Sequence, residues 1–157
     1  MTNLAVRVIG ADRPGITADL LSTLAALEAD LEDLEQVLVR QRLILAAVVA
    51  TDRPDSVRRE LAAFGARHGL SVQLDEVADA STQPAETQIV TVLAPTITAA
   101  ALEIITDTLG SLGANIDRIV RLARYPVYCY ELRVSGADAE GIRSVVTAAG
   151  AAARVDV

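Results

Sequence analysis

LAVRVIGADRPGITADLLSTLAALEADLEDL, residues 4–34, and IVTVLAPTITAAALEIITDTLGSLGANIDRI, residues 89–119, carry one hydrophobic pattern written twice. A shift of 85 residues lays residues 4–72 over 89–157 without a gap. Val8 then falls on Leu93, Leu20 on Ile105, Leu24 on Leu109 and Leu31 on Ile116. Farther on, Val49 meets Val134, Gly65 meets Gly150 and Val72 meets Val157. A period this long exceeds that of solenoid units, so each copy is read as a complete small domain. Either half is close to the lower limit of size at which a chain buries an adequate core.

Within the first copy the pattern changes period in a definite order. Leu4 to Ile9 reads as a strand closing at Gly10. Asp12-Arg13-Pro14-Gly15 carries helix-start signals, a side chain able to cap and a proline that suits a first turn. Ile16, Leu20, Leu24 and Leu27 recur at helical spacing. Leu31 to Val39 and Leu43 to Ala50 read as two strands of a hairpin turning at Arg40-Gln41-Arg42. Pro54 and Asp55 open a second helix with Val57, Leu61 and Phe64, ending at Gly65 or at His68-Gly69, and Leu70 to Val77 forms a fourth strand. Strand, helix, strand, strand, helix, strand is the split βαβ order of a ferredoxin-like sandwich.

The second copy repeats that order: strand 87–93, helix 98–112, strands 115–123 and 127–135, helix 138–149 and strand 152–157. The fold class is therefore α+β, two ferredoxin-like βαββαβ domains with antiparallel sheets and helices on one face. Domains are expected at 1–78 and 87–157. Residues 79–86, small and polar with Pro84, form the linker.

Composition limits the function classes. Apolar residues make up 52% of the chain and aromatics 3%, with mean hydropathy +0.36, yet no apolar run approaches the roughly 20 residues of a membrane-spanning helix. The first residues lack a basic segment and a signal-peptide core, so a cytoplasmic protein with no membrane partner is expected. A net charge of −7 and scattered arginines argue against a nucleic-acid partner. Cys129 and His68 are the single cysteine and histidine, which excludes an intrachain disulfide and a zinc set; both read as structural. Glu28, Asp30, Glu32, Asp33 and Glu35 read as a solvated acidic rim. Tyr128 and Tyr130 share a strand face with Leu132 and Val134 and read as core or interface packing. Phosphate-binding loops and hydrolase elbows are missing, so no catalytic residue is assigned.

One segment suits a ligand. Gly10-Ala11-Asp12-Arg13-Pro14-Gly15-Ile16 sets backbone N–H groups and an aspartate at a helix N-terminus, a place for a carboxylate and an ammonium together. The competing reading is local: Asp12 caps the helix, Pro14 sets its first turn and Gly15 allows a tight bend.

Asp12-Arg13-Pro14-Gly15-Ile16, with Ala29-Asp30-Leu31 beyond the helix, resembles the signature of ACT domains, small ferredoxin-like modules that bind amino acids in regulated enzymes. Leu112-Gly113-Ala114-Asn115-Ile116 resembles the tail of the same motif in the second copy. Leu34 to Leu43, Pro95 to Ala99, Asn115 to Ile119 and Tyr125-Pro126-Val127 extend the likeness to the tandem ACT region that precedes the catalytic domain of actinobacterial phosphoserine phosphatases. The resemblance implies a regulatory region, not itself an enzyme, binding a small amino acid, L-serine favoured, at an interface between ACT modules of a homodimer. It assigns ligand binding to Gly10, Asp12, Gly15 and Asn115, with Asp30 at the position of Asn115 in the first copy. No cofactor is expected in this chain, and Mg²⁺ is expected for an attached phosphatase domain. The shift sets Pro95 opposite Gly10, Ile97 opposite Asp12 and Ala100 opposite Gly15, so the second turn is expected to bind more poorly. Two alternatives stay open: a free-standing tandem ACT adaptor of the glycine-cleavage repressor type, and a dimerisation scaffold.

Overall fold

The computed structural model describes residues 1–78 and 86–157; the linker expected at 79–86 lies, apart from Glu86, outside the described residues. The chain forms two compact units, one on each side of that segment.

The first unit runs β1 (Thr2–Ala11), α1 (Ile16–Ala26), β2 (Asp30–Val39), β3 (Arg42–Thr51), α2 (Pro54–His68) and β4 (Ser71–Val77). Its antiparallel sheet has the order β2-β3-β1-β4, the split βαβ topology. Alternation along β1 and β3 turns Leu4, Val6, Val8, Leu43, Leu45 and Val49 to one face, where Ile16, Leu20 and Leu24 of α1 and Val57, Leu61 and Phe64 of α2 cover them. Each such buried aliphatic side chain contributes on the order of 1.5–3 kcal/mol. The β2–β3 turn is Arg40-Gln41, both with positive φ, as a two-residue hairpin turn demands.

The second unit comprises β5 (Thr87–Ala94), α3 (Ala99–Ser111), β6 (Asn115–Ala123), β7 (Tyr128–Ser135) and α4 (Ala139–Ala153), with sheet order β5-β7-β6. Its core repeats the first at the 85-residue offset: Ala101, Ile105 and Leu109 of α3 stand for Ile16, Leu20 and Leu24, and Ile142, Val146 and Ala149 of α4 for Val57, Leu61 and Phe64. Tyr130 packs against this core.

A pair of glycines shows how close the repetition is. A methyl group at Gly65 would lie 2.9 Å from the Leu70 carbonyl oxygen and 2.8 Å from Val72 Cγ2; at Gly150 it would lie 3.0 Å from the Val155 oxygen and 2.7 Å from Val157 Cγ2. Both glycines accept a bond from the residue five places on, at 2.9 Å from Leu70 N–H and 3.0 Å from Val155 N–H, so the chain doubles back tightly over each helix end.

Two expectations are corrected. The strand expected at 152–157 is reduced to a single bridge, Leu93 with Asp156, whose N–H and carbonyl groups exchange bonds of 2.8 and 2.9 Å. Ala151, Ala152 and Ala153 prolong α4 beyond residue 149 because alanine has the highest helix propensity, and Arg154 then ends it in the left-handed region. The first helix starts at Ile16, not in Asp12-Arg13-Pro14: Gly15, at φ 93°, is its N-cap, and Asp12 makes no capping bond.

Candidate functional site

The loop between β1 and α1 is anchored where the sheet ends. Gly10 pairs with Leu43 and Ala11 with Arg42, and the Asp12 N–H then donates to the Gln41 carbonyl at 3.1 Å, the last rung before the chain leaves the ladder. Gly10 is buried, and a side chain there would overlap Leu70 Cδ2, so this glycine lets the start of β4 close over the loop. Gly15 is exposed with open space around the position of a Cβ; its positive φ, not crowding, is what requires glycine.

Helix α1 therefore begins abruptly. The Gly15 carbonyl accepts from the Asp19 N–H at 2.9 Å, while no side chain caps the helix. The N–H groups of Ile16, Thr17 and Ala18 are the positive end of its dipole. Asp12 is exposed, and among the described residues nothing bonds its carboxylate. Arg13 reaches across to the end of α2, with Nη2 at 2.7 Å from His68 Nδ1 and 3.3 Å from the His68 carbonyl. Thr17 donates its hydroxyl to Gln36 Oε1 on β2 at 2.6 Å, fixing the first helical turn against the sheet edge.

The corresponding start of α3 is closed. Thr98 takes the N-cap in extended conformation, and its hydroxyl accepts from the Ala101 N–H at 3.2 Å. Asp138 caps α4 in the same manner, accepting from the Gly141 N–H at 2.7 Å. Helix α3 also begins at Ala99, the counterpart of Pro14, two residues earlier than the repeat alone would place it.

Of the four site residues expected in the first unit, three are gathered. Gly10, Asp12 and Gly15 share the loop. Asp30 opens β2 opposite Ala50, which pairs with Asn3, whereas Gly10 lies seven residues farther along β1; at the rise of a strand this separates Asp30 from the loop by about 23 Å. Asn115 opens β6 in the second unit, and its amide donates to Asp117 Oδ1 at 2.6 Å, which also accepts from the Ser135 hydroxyl at 3.0 Å. Sequence reading missed Thr17, Gln36 and His68 as neighbours of the loop. Only the β2–β3 hairpin and the helix-end signal at His68-Gly69 hint that these elements finish beside it.

The site is an open turn, not a closed pocket. A hollow of about 340 Å³ lies instead on the outer face of the first sheet, over Ala5, Arg7, Asp33, Glu35, Ala46 and Val48. Among the described residues, no three of His, Cys, Asp and Glu are grouped so as to hold a metal ion, and no helix is long and apolar enough to cross a membrane. The acidic rim from Glu28 to Glu35 is exposed, and Glu28 pairs with Arg53 at 2.6 Å.

Comparison with known proteins agrees with this architecture. One ACT domain model matches residues 2–75 and another matches residues 86–157. The chain belongs to the ACT domain family. This tandem ACT chain is 39% identical to a phosphoserine phosphatase of Streptomyces coelicolor, over 98% of the chain and 38% of that protein. It is 36% identical to the phosphoserine phosphatase SerB2 of Mycobacterium tuberculosis, over 85% of the chain and 34% of that protein. The ACT pair thus spans little over a third of the length of these curated relatives. Its fold matches, with TM-score 0.77 and 14% identity over 99% of this chain and 94% of the other, a solved protein provisionally described as a glycine cleavage system transcriptional repressor. A protein of unknown function from Galdieria sulphuraria matches with TM-score 0.78 and 17% identity, over 99% and 95% of the two chains.

Proposed function

We propose that this ACT pair is the amino-acid-sensing region of a phosphoserine phosphatase and that the β1–α1 turn binds a small zwitterion, L-serine by preference. The observation that carries this reading is the contrast at the two helix starts: α1 has no side-chain cap and has an unbonded carboxylate at Asp12 beside it, while α3 is closed by Thr98. A ligand carboxylate fits the free N–H groups of Ile16 to Ala18, and the ammonium fits Asp12. Similarity over 98% and 85% of the chain to two phosphoserine phosphatases supports the parent enzyme and the choice of serine, the product of such a reaction. The attached catalytic domain would carry the Mg²⁺, and the compartment would be the cytoplasm.

Regulation follows by linkage. An amino acid that prefers one arrangement of a homodimer joined through its ACT domains shifts the population toward that arrangement. Exposed Leu31, Leu38, Val39, Ile89 and Leu122 supply apolar surface for such an assembly.

Isothermal titration of the chain with L-serine, glycine and L-phosphoserine tests the reading. Saturable serine binding that is lost in Asp12→Ala is the expected result. No heat from any of the three, with a folded dimer confirmed by light scattering, would replace the sensor with a scaffold.

A further inference from the structure

His68 sits at the junction of the loop and the second helix, and its two ring nitrogens face opposite charges. It ends α2, its side chain is 16% exposed, and its ring lies tilted against Phe64, with centroids 4.5 Å apart and planes at 42°. Nδ1 lies 2.7 Å from Arg13 Nη2, and Nε2 lies 3.7 Å from Asp19 Oδ2. A guanidinium has no lone pair to offer, so this bond exists only with Nδ1 as acceptor and the ring proton on Nε2, toward Asp19. Arg13 from the loop and Asp19 from α1 are the charged groups that meet the ring among the described residues; Arg67 precedes it on α2.

A proton added at Nδ1 removes the closer of the two acceptors that hold Arg13, leaving the His68 carbonyl at 3.3 Å, and sets an imidazolium against a guanidinium. Asp19, on the other side of the ring, gains a charged partner. Protonation therefore exchanges a contact with the loop for a contact with α1. The second copy has neither half of this device: at the 85-residue offset Thr98 replaces Arg13 and Ala153 replaces His68. The contact occurs in the copy whose helix start is open.

We infer that His68 is a positioning residue for the amino-acid turn, latching Arg13 in its neutral form so that ligand affinity falls when the ring takes up a proton. This rests on the reading of the turn as the amino-acid site. It adds that one side chain outside that turn makes sensing depend on pH.

The chain's single histidine makes the test direct, because NMR of the full chain gives one imidazole titration curve. In the absence of ligand, the amide signals of Asp12, Gly15 and Ile16 are expected to move with the midpoint of the ring. In Arg13→Ala they are expected to stay still while the ring continues to titrate. L-Serine titrated one pH unit to either side of that midpoint should bind about five- to tenfold more weakly on the acid side, the range set by one lost hydrogen bond to a charged group and by the roughly tenfold change in the neutral fraction. His68→Gln, which keeps an acceptor and takes up no proton, should bind equally at both. Loop amides that ignore the ring, or that follow it equally well in Arg13→Ala, would overturn the latch. Coupled amides without serine binding at either pH would uphold the latch and overturn the amino-acid reading instead.

Discussion

The two units differ least where side chains pack and most where the first helix begins. Gly65 and Gly150 keep the same place, the same hydrogen bond and the same pair of close neighbours. At the β–α turn the agreement stops: Gly10, Asp12, Arg13 and Gly15 of the first unit stand opposite Pro95, Ile97, Thr98 and Ala100 of the second. Both turns complete the same fold; Gly10 and Gly15 answer local demands of the first unit, close packing on Leu70 and a positive φ, whereas the Asp12 carboxylate makes no bond within it among the described residues. A glycine N-cap without a side-chain bond is poorer than a threonine cap by on the order of a few tenths of a kcal/mol. The comparison therefore singles out Asp12 as the turn residue that the packing of its own unit does not explain.

The sharpest way to test that comparison is to attack the cores. Phe64 is fully buried where the second unit has Ala149. Phe64→Ala is expected to cost about 3–5 kcal/mol and Ala149→Gly about 1 kcal/mol, so urea unfolding should show the first unit as the one that fails. Next come the paired glycines. Gly65→Ala and Gly150→Ala should each cost about 1–3 kcal/mol, the first more, because Val157 is 39% exposed and has room to shift. An alanine that stabilises either unit would break the equivalence.

A smaller effect decides the meaning of the turns. Thr98→Ala should lose about 1 kcal/mol with its cap, whereas Asp12→Ala should change stability by no more than about 0.5 kcal/mol while affecting ligand binding. Equal losses in thermal melts would make Asp12 a structural residue. Smallest of all, replacing Arg7 should cost at most about 1 kcal/mol despite its 2.6 Å pair with Asp75, since both partners are more than half exposed. That loss should shrink further in high salt.

Most of the fold was legible because its signals are local. The spacing of Ile16, Leu20 and Leu24, the alternation along β1 and β3 and the 85-residue repeat all report which face is buried. The exact start of α1 was not legible: Asp12 and Pro14 are good helix openers, and the positive φ of Gly15 overrides them. Helix α4 ran on because three alanines favour helix more strongly than the edge of a sheet rewards them. The candidate site was half legible. Gly10, Asp12 and Gly15 are contiguous in sequence, but Asp30 was assigned by motif position, which carries no distance along the sheet. His68 lies 55 residues from Arg13, and no local pattern announces that bond.

The edge strand β2 has a consequence for solubility. Its outer side has no strand partner among the described residues and lies next to exposed Leu31, Leu38 and Val39, the kind of surface on which cross-β aggregates grow. Asp30, Glu32, Asp33 and Glu35 are exposed along the same strand, and a bulge between Leu31 and Asp33 interrupts its register. Two such edges meeting in register would bring like charges together, so the acidic rim acts as a gatekeeper against fibril growth. That protection is electrostatic, and concentrated salt, with a screening length of about 3 Å at 1 M, removes it while leaving the apolar side chains in place.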